Sequence, residues 1–69
     1  MLELTDITNT IIHEIEVLRL TQSQVAITYA LAIKSSDKVD WHKINAAIIK
    51  RWSMSGLNRV KTMAWKGLA

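Results

Sequence analysis

The stretch that decides the fold is residues 40–66, DWHKINAAIIKRWSMSGLNRVKTMAWK. Apolar side chains recur every three or four residues on both sides of SMSG, which predicts two helices joined by a tight turn at residues 53–56. Asp40 is expected to cap the first of these helices, because its carboxylate accepts hydrogen bonds from the free backbone N–H groups at a helix start. The expected buried face of the last helix consists of Leu57, Val60 and Ala64.

Charge is distributed unevenly along the chain. The first 40 residues carry six acidic and three basic side chains, a net charge of −3. The six charged residues after Asp40 are all basic, a net charge of +6, so the whole chain has the net charge of +3. A helix-turn-helix with its positive charge gathered in the second half of the chain is typical of nucleic-acid-binding domains.

The composition favours one small helical domain. The chain has 69 residues, no cysteine and no proline, and its two glycines come late, at Gly56 and Gly67. No disulfide can therefore stabilise it, and only polar clusters interrupt the helical pattern. The longest apolar run, residues 25–33, is too short to cross a bilayer, and the acidic N-terminus is unlike a signal peptide. We expect a soluble, all-α, intracellular protein without membrane contact, in the nucleus of a eukaryote or otherwise in the cytoplasm.

Residues 1–19 are predicted to form an amphipathic N-terminal helix, because their apolar side chains also recur at helical spacing. This stripe consists of Leu4, Ile7, Ile11, Ile15 and Leu18, with Ile12 and Val17 widening it. Two uses of the stripe are open at this point. It packs on the rest of the chain, or it binds a partner protein or a second copy in a homodimer.

A second helix is predicted after Leu20. Thr21 and Gln24 have the spacing of a capping box, in which each side chain satisfies a free backbone group of the other residue. The helix should end near Lys34, with Leu31 beside its buried face. The predicted architecture is a small helical bundle, in which the helix of residues 1–19 is added to a trihelical helix-turn-helix domain at residues 20–69.

The order of these features over residues 20–68 resembles a Myb/SANT-like domain, a three-helix, homeodomain-like fold. The matching residues are Leu20-Thr21, Trp41-His42-Lys43-Ile44, Arg51 followed by Ser53, and Arg59 with Lys61. Two departures from the family pattern are Trp52, inserted between the arginine and the serine, and Gly56 in the first turn of the last helix. The resemblance implies a transcriptional or chromatin-associated domain that lays its last helix in the DNA major groove. In SANT-type members it implies a protein-binding surface instead.

The candidate nucleic-acid-binding residues lie on the last two predicted helices. Arginine can form paired hydrogen bonds with guanine, asparagine can pair with adenine, and lysine or threonine can hold phosphates. The outward residues of the last helix are predicted to be Asn58, Arg59, Lys61, Thr62, Trp65 and Lys66. Ser53 and Ser55, at the positively polarised start of that helix, are expected to meet a phosphate. Lys43, Lys50 and Arg51 should contact the DNA backbone.

Trp65 has alternatives to base stacking. It can anchor a partner protein or pack under the N-terminal helix. The basic residues also have alternatives, because small basic proteins often carry a solvated positive face. Two rival functions therefore stand beside binding of double-stranded DNA. One is a protein-interaction module, and the other is a regulator that recognises an acidic patch on another protein and lacks affinity for nucleic acid.

The sequence argues against an enzyme, a metal site and a cofactor. His13-Glu14 lacks the second histidine four residues after the first that a helical zinc site requires, and His42 is isolated. The chain contains no glycine-rich phosphate loop and no nucleophile elbow. Four short helices also make a poor frame for a pocket that excludes water around a substrate.

Overall fold

The computed structural model describes residues 7–35 and 38–68 of the chain, and over these ranges the protein is an all-α bundle. Three helices follow in order: α1 at Ile7–Glu16, α2 at Gln22–Lys34 and α3 at Trp41–Leu68. The backbone of α3 is non-helical at Ser53, where φ is 76° and ψ is 177°. This break divides α3 into a first arm, residues 41–52, and a second arm, residues 54–68. The predicted all-α bundle is confirmed.

The turn inside α3 is shorter than predicted. SMSG was expected to form a turn over residues 53–56, but only Ser53 leaves the helical conformation, and Gly56 is helical and buried. A Cβ atom added at Gly56 would overlap the Cβ atom of Trp52. Glycine is therefore required here by the close approach of the two arms, and not by a positive φ.

Side-chain caps start α2 and α3 as the sequence predicts. Thr21 Oγ1 accepts a hydrogen bond from the backbone N–H of Gln24 at 3.3 Å. The Thr21 hydroxyl donates to Gln24 Oε1 at 3.5 Å. Gln24 therefore accepts from the Thr21 side chain, where a full capping box would have it accept from the Thr21 backbone N–H. Asp40 Oδ1 accepts from the backbone N–H of Lys43 at 3.1 Å. The backbone N–H of Asp40 donates to Thr8 Oγ1 at 3.0 Å, which ties the start of α3 to α1.

A single apolar core joins the three helices. Its members are Ile11, Ile15, Val25, Ala26, Tyr29, Ala32, Ile44, Ala47, Ile48, Leu57, Val60 and Ala64. The predicted buried face of the second arm, Leu57, Val60 and Ala64, is confirmed. Because burial of these side chains removes a large apolar area from water, the core is the main source of stability for so short a chain.

The apolar stripe of α1 packs inside the chain. Ile11 and Ile15 are completely buried, so in this structure they are core residues and not a surface for a partner or a homodimer. Ile7 is half-buried against the same core, and Leu18 is exposed. Leu4 lies outside the described residues. No described helix has both the length and the apolar character needed to span a membrane.

Two apolar side chains lie further outward than predicted. Leu31 of α2 is 55% exposed, and Val17, just after α1, is 65% exposed. The inward face of α2 is set by Val25, Tyr29 and Ala32. At about 100° of rotation per residue, Leu31 falls on the opposite side of the helix from these residues. The sequence alone did not separate these two faces, because apolar residues lie on both.

A left-handed residue ends α1 and turns the chain toward α2. Arg19 has a φ of 52°, and the backbone N–H of Leu20 donates to the carbonyl of Glu14 at 3.0 Å. This hydrogen bond joins residues six apart and closes the turn that follows α1. Beyond the turn, the Thr28 hydroxyl of α2 donates to Glu14 Oε2 at 3.1 Å, which links the two helices side by side.

Candidate nucleic-acid interface

Helix α3 carries basic side chains and no acidic ones. Between Trp41 and Leu68 there are six lysine and arginine residues and no aspartate or glutamate. The segment from the start of α1 to the end of α2 contains Glu14 and Glu16 together with Arg19 and Lys34, so its charges cancel. The positive charge of the protein is therefore concentrated on α3.

One row of polar and basic side chains lies exposed along the second arm. The row, which we call the second-arm row, consists of Ser55, Asn58, Arg59, Thr62 and Lys66. Its members recur every three or four residues, so they share one face of the helix, opposite Leu57, Val60 and Ala64. The side chains of Asn58, Arg59 and Lys66 make no hydrogen bond or ion pair with any residue in the described ranges. They are available to an external ligand.

Thr62 is partly committed within its own helix. Its hydroxyl donates to the main-chain carbonyl of Asn58 at 2.8 Å, the usual back-bond of threonine in helices. The hydroxyl oxygen can still accept a hydrogen bond, but a phosphate needs a donor. Thr62 therefore suits contact with a donor group better than the phosphate contact expected from the sequence.

The predicted lysines of the first arm face a different neighbour from the second-arm row. Lys43 and Lys50 are exposed, and both line a groove between the first arm and α1, beside Asn9 and Glu16. The second-arm row instead borders the start of α2, where Gln22 lines the adjoining groove. The structure thus separates the predicted basic residues into two groups on different grooves.

Arg51 is bonded to the end of α1 and to the turn that follows it. Its guanidinium donates to the carbonyl oxygens of Ile15 at 3.2 Å and of Arg19 at 3.0 Å, and it lies over the ring of Trp52 at 4.1 Å. Burial of the guanidinium, followed by the positive charge of Arg19, lowers the pKa of Arg51 from its usual value. The expectation that Arg51 points outward to DNA phosphates is corrected by this geometry, because the side chain caps the end of α1.

Lys61 and Trp65 line a different groove from the second-arm row. They lie four residues apart on the second arm and line a groove toward α2 and the first arm. Lys61 is half-buried, and Trp65 is 59% exposed. Trp65 is thus not packed under the N-terminal helix. Sequence reasoning missed Asn45 and Tyr29, which line the same groove and are joined by a 3.0 Å hydrogen bond.

Ser53 is exposed at the start of the second arm, and its backbone conformation is its main structural feature. A φ of 76° with a ψ of 177° belongs to a region that glycine adopts readily and other residues rarely do. Its structural role is to redirect the chain between the arms. Among the described residues, no group of three histidine, aspartate or glutamate side chains is arranged to hold a metal ion.

Comparison of this chain with protein-family models, with curated proteins and with solved structures yields no match. The resemblance to Myb/SANT-like domains therefore stays a prediction from the sequence.

Proposed function

We propose that this chain binds double-stranded DNA, with the second-arm row facing the major groove. The observation that carries the proposal is an exposed row of hydrogen-bond donors and cations on a helix without acidic residues. The second arm, residues 54–68, is about 22 Å long at a rise of about 1.5 Å per residue. A major groove about 12 Å wide admits such a helix.

The positions along the second arm suggest separate roles. In helix-turn-helix proteins, residues near the start of the second helix reach the base edges. Asn58 and Arg59 hold these positions here, and both bear side chains that can form paired hydrogen bonds with a base. Lys66, further along, would hold a phosphate, and Ser55 would contact the backbone near the helix start. Lys43 and Lys50 add positive charge to the first arm, which would lie nearer the DNA backbone.

The salt dependence of binding follows from the number of exposed cations on α3. Four of them, Lys43, Lys50, Arg59 and Lys66, are exposed. If each neutralises one phosphate, the logarithm of affinity should fall with the logarithm of salt at a slope of about −3.6. A rise from about 50 to about 200 mM salt would then weaken binding about 150-fold.

Fluorescence anisotropy with a labelled mixed-sequence duplex tests the proposal. Replacing Arg59 and Lys66 together by alanine should reduce the slope to about −1.8, because two of the four exposed cations of α3 are lost. Lys34→Ala is the matched control, since Lys34 is an exposed lysine on α2. It should leave the slope unchanged. Absence of binding at low salt, or equal loss in the control, would contradict DNA binding through the second arm.

A second candidate function is protein binding, which the exposed apolar side chains outside α3 favour. Val17, Leu18, Ile27 and Leu31 are each more than half exposed, and Ile27 and Leu31 lie one helical turn apart. Exposed apolar side chains that lie together often mark interaction surfaces. Light scattering coupled to size-exclusion chromatography of the wild type and of Ile27→Ser/Leu31→Ser tests a homodimer. A monomer mass for both proteins would remove self-association as the use of these residues.

A further inference from the structure

A groove on the other side of the second arm is lined by three pairs of side chains, one pair from each helical segment that meets there. We call it the aromatic groove, and the residues that define it are Tyr29, Ile33, Trp41, Asn45, Lys61 and Trp65. Each pair is spaced by four residues, so both of its members project from one face of their segment. The groove has a volume of about 460 Å³, which is within the range of about 300–1,000 Å³ usual for small-molecule sites.

The floor of the groove is aromatic. The rings of Tyr29 and Trp41 have their centroids 4.8 Å apart at an angle of 52°. The buried Tyr29 donates its hydroxyl proton to Asn45 Oδ1 at 3.0 Å, which fixes the asparagine side chain. The carbonyl oxygen of Asn45 is engaged by this bond. Its NH₂ group has no partner among the described residues, so it remains available as a donor.

The outer wall of the groove is a tryptophan with little cover. Trp65 is 59% exposed although it is one of the largest apolar side chains in the chain. Three of the four aromatic residues of the protein, Tyr29, Trp41 and Trp65, meet at this groove. Flat ligands suit such walls, because an aromatic ring stacks on an exposed indole whatever its substituents are.

Lys61 gives the groove a positive charge. It lines the groove and is half-buried, whereas Lys66 of the same arm is exposed. A long lysine stem allows the ammonium to reach water from such a position. None of the described residues that line the groove is acidic. A ligand that brings a negative charge would therefore find a cation without a competing carboxylate from the lining.

We propose that the aromatic groove binds a planar aromatic molecule that carries an anionic group, with the size of a mononucleotide. The ring would stack on Trp65 above the Tyr29–Trp41 pair, and the NH₂ group of Asn45 would donate to an acceptor on the ring. Lys61 would bind the phosphate or carboxylate. The nucleotide could be free or an unpaired residue of a single strand, since both present the same chemistry. This proposal does not depend on the second-arm row.

The chain contains its own reporters for the test. Trp41 and Trp65 line the groove, whereas Trp52 lies outside it and packs against Arg51. In ¹⁵N spectra, titration with adenosine 5′-monophosphate should shift the indole N–H signals of Trp41 and Trp65 and leave that of Trp52 in place. Adenosine, without the charge, and ribose 5-phosphate, without the ring, should each bind at least about tenfold more weakly.

Variants separate the two parts of the site. Lys61→Met keeps an unbranched stem and removes the charge, so it should reduce the affinity for adenosine 5′-monophosphate to that for adenosine. Lys66→Met, in the same arm, is the matched control and should leave both affinities unchanged. Trp65→Leu should weaken both ligands about tenfold, because stacking is lost. For the two lysine variants, the adenosine titration shows whether the groove remains folded, and for Trp65→Leu an unshifted Trp41 indole signal in the free protein shows it.

The source of the ligand is tested with a short oligodeoxyadenylate strand. Tighter binding by the strand than by the mononucleotide, with the same two indole shifts, assigns the groove to unpaired nucleotides. Equal affinity assigns it to a free small molecule. The proposal is overturned if Trp52 shifts as much as Trp65, if ribose 5-phosphate binds as tightly as the mononucleotide, or if no indole signal moves. The Arg59/Lys66 double-alanine variant should bind the mononucleotide normally, so a failure of DNA binding is seen separately.

Discussion

Replacement of Gly56 by alanine tests how the two arms of α3 meet. In a regular helix this substitution stabilises, since alanine has a helix propensity about 0.8–1.0 kcal/mol more favourable than glycine. At Gly56 the new Cβ atom would overlap Trp52 Cβ, well inside the 3.4–4 Å at which such atoms ordinarily meet. Trp52 Cβ is attached directly to the backbone, so a change of rotamer cannot relieve the overlap. The arms would have to separate.

Two opposing effects determine how much Gly56→Ala changes the free energy of unfolding. Overpacking of this kind costs about 3 kcal/mol, at the upper end of its usual range. The gain in helix propensity of about 1 kcal/mol leaves a net loss of about 2 kcal/mol in the free energy of unfolding. For a domain of this length, that loss lowers the melting temperature by about 8–16 °C. It is also a large share of a total stability of about 3–10 kcal/mol.

Urea and thermal unfolding followed by circular dichroism at 222 nm measure the effect. Gly67→Ala is the matched control, because Gly67 lies in the same arm and a Cβ atom added there has no neighbour within 4 Å. That variant should be neutral or stabilised by up to about 1 kcal/mol. If Gly56→Ala is as stable as the wild type or more so, the close packing of Gly56 on Trp52 is wrong.

Three further predictions concern other strained, bonded or buried positions. Ser53→Gly should raise the free energy of unfolding by about 0.5–2 kcal/mol, because relief of a strained φ outweighs the added entropy of the unfolded chain; a loss of stability in urea would contradict this account of the break. Arg51→Lys keeps the charge but loses the planar fork that bonds both carbonyls, so the free energy of unfolding should fall by about 1–2 kcal/mol. DNA affinity should change less than twofold. A large loss of affinity with unchanged stability would contradict the structural role of Arg51. Burial raises the pKa of Tyr29 above its ordinary value of 10.0, and since it is the single tyrosine, absorbance at 295 nm reports it alone. The unfolded state loses the phenolic proton first, so stability should fall as pH rises from about 10 through the folded pKa, and Tyr29→Phe should lack this part of the slope; a folded midpoint at or below 10 would contradict the burial.

Local features were predicted well from the sequence because they depend on neighbouring residues. The caps at Thr21 and Asp40 are predictable because each side chain accepts a hydrogen bond from the backbone N–H only three residues later. The buried face of the second arm follows from helical spacing alone. Prediction was weaker where apolar residues lie on two faces of a helix, as at Leu31, since only the packing of the whole bundle decides which face is covered.

Tertiary contacts account for what the sequence did not predict. The carbonyl partners of Arg51 lie 32 and 36 residues earlier in the chain, so no local pattern indicates them. Gly56 suggested a turn because glycine is common in turns, but its role is to allow contact between two arms. The residue pairs of the aromatic groove have visible helical spacing, yet their convergence depends on how three helical segments cross.

The most direct test of the central claim is a map of backbone amide chemical shifts with and without duplex DNA at low salt. The largest shifts should fall on the second-arm row, especially at Asn58 and Arg59, with smaller shifts near Lys43 and Lys50. The exposed face of α2 around Ile27 and Leu31 should not move. Shifts confined to α1 and α2, or no shifts at protein and duplex concentrations near 1 mM, would contradict DNA binding by the second arm.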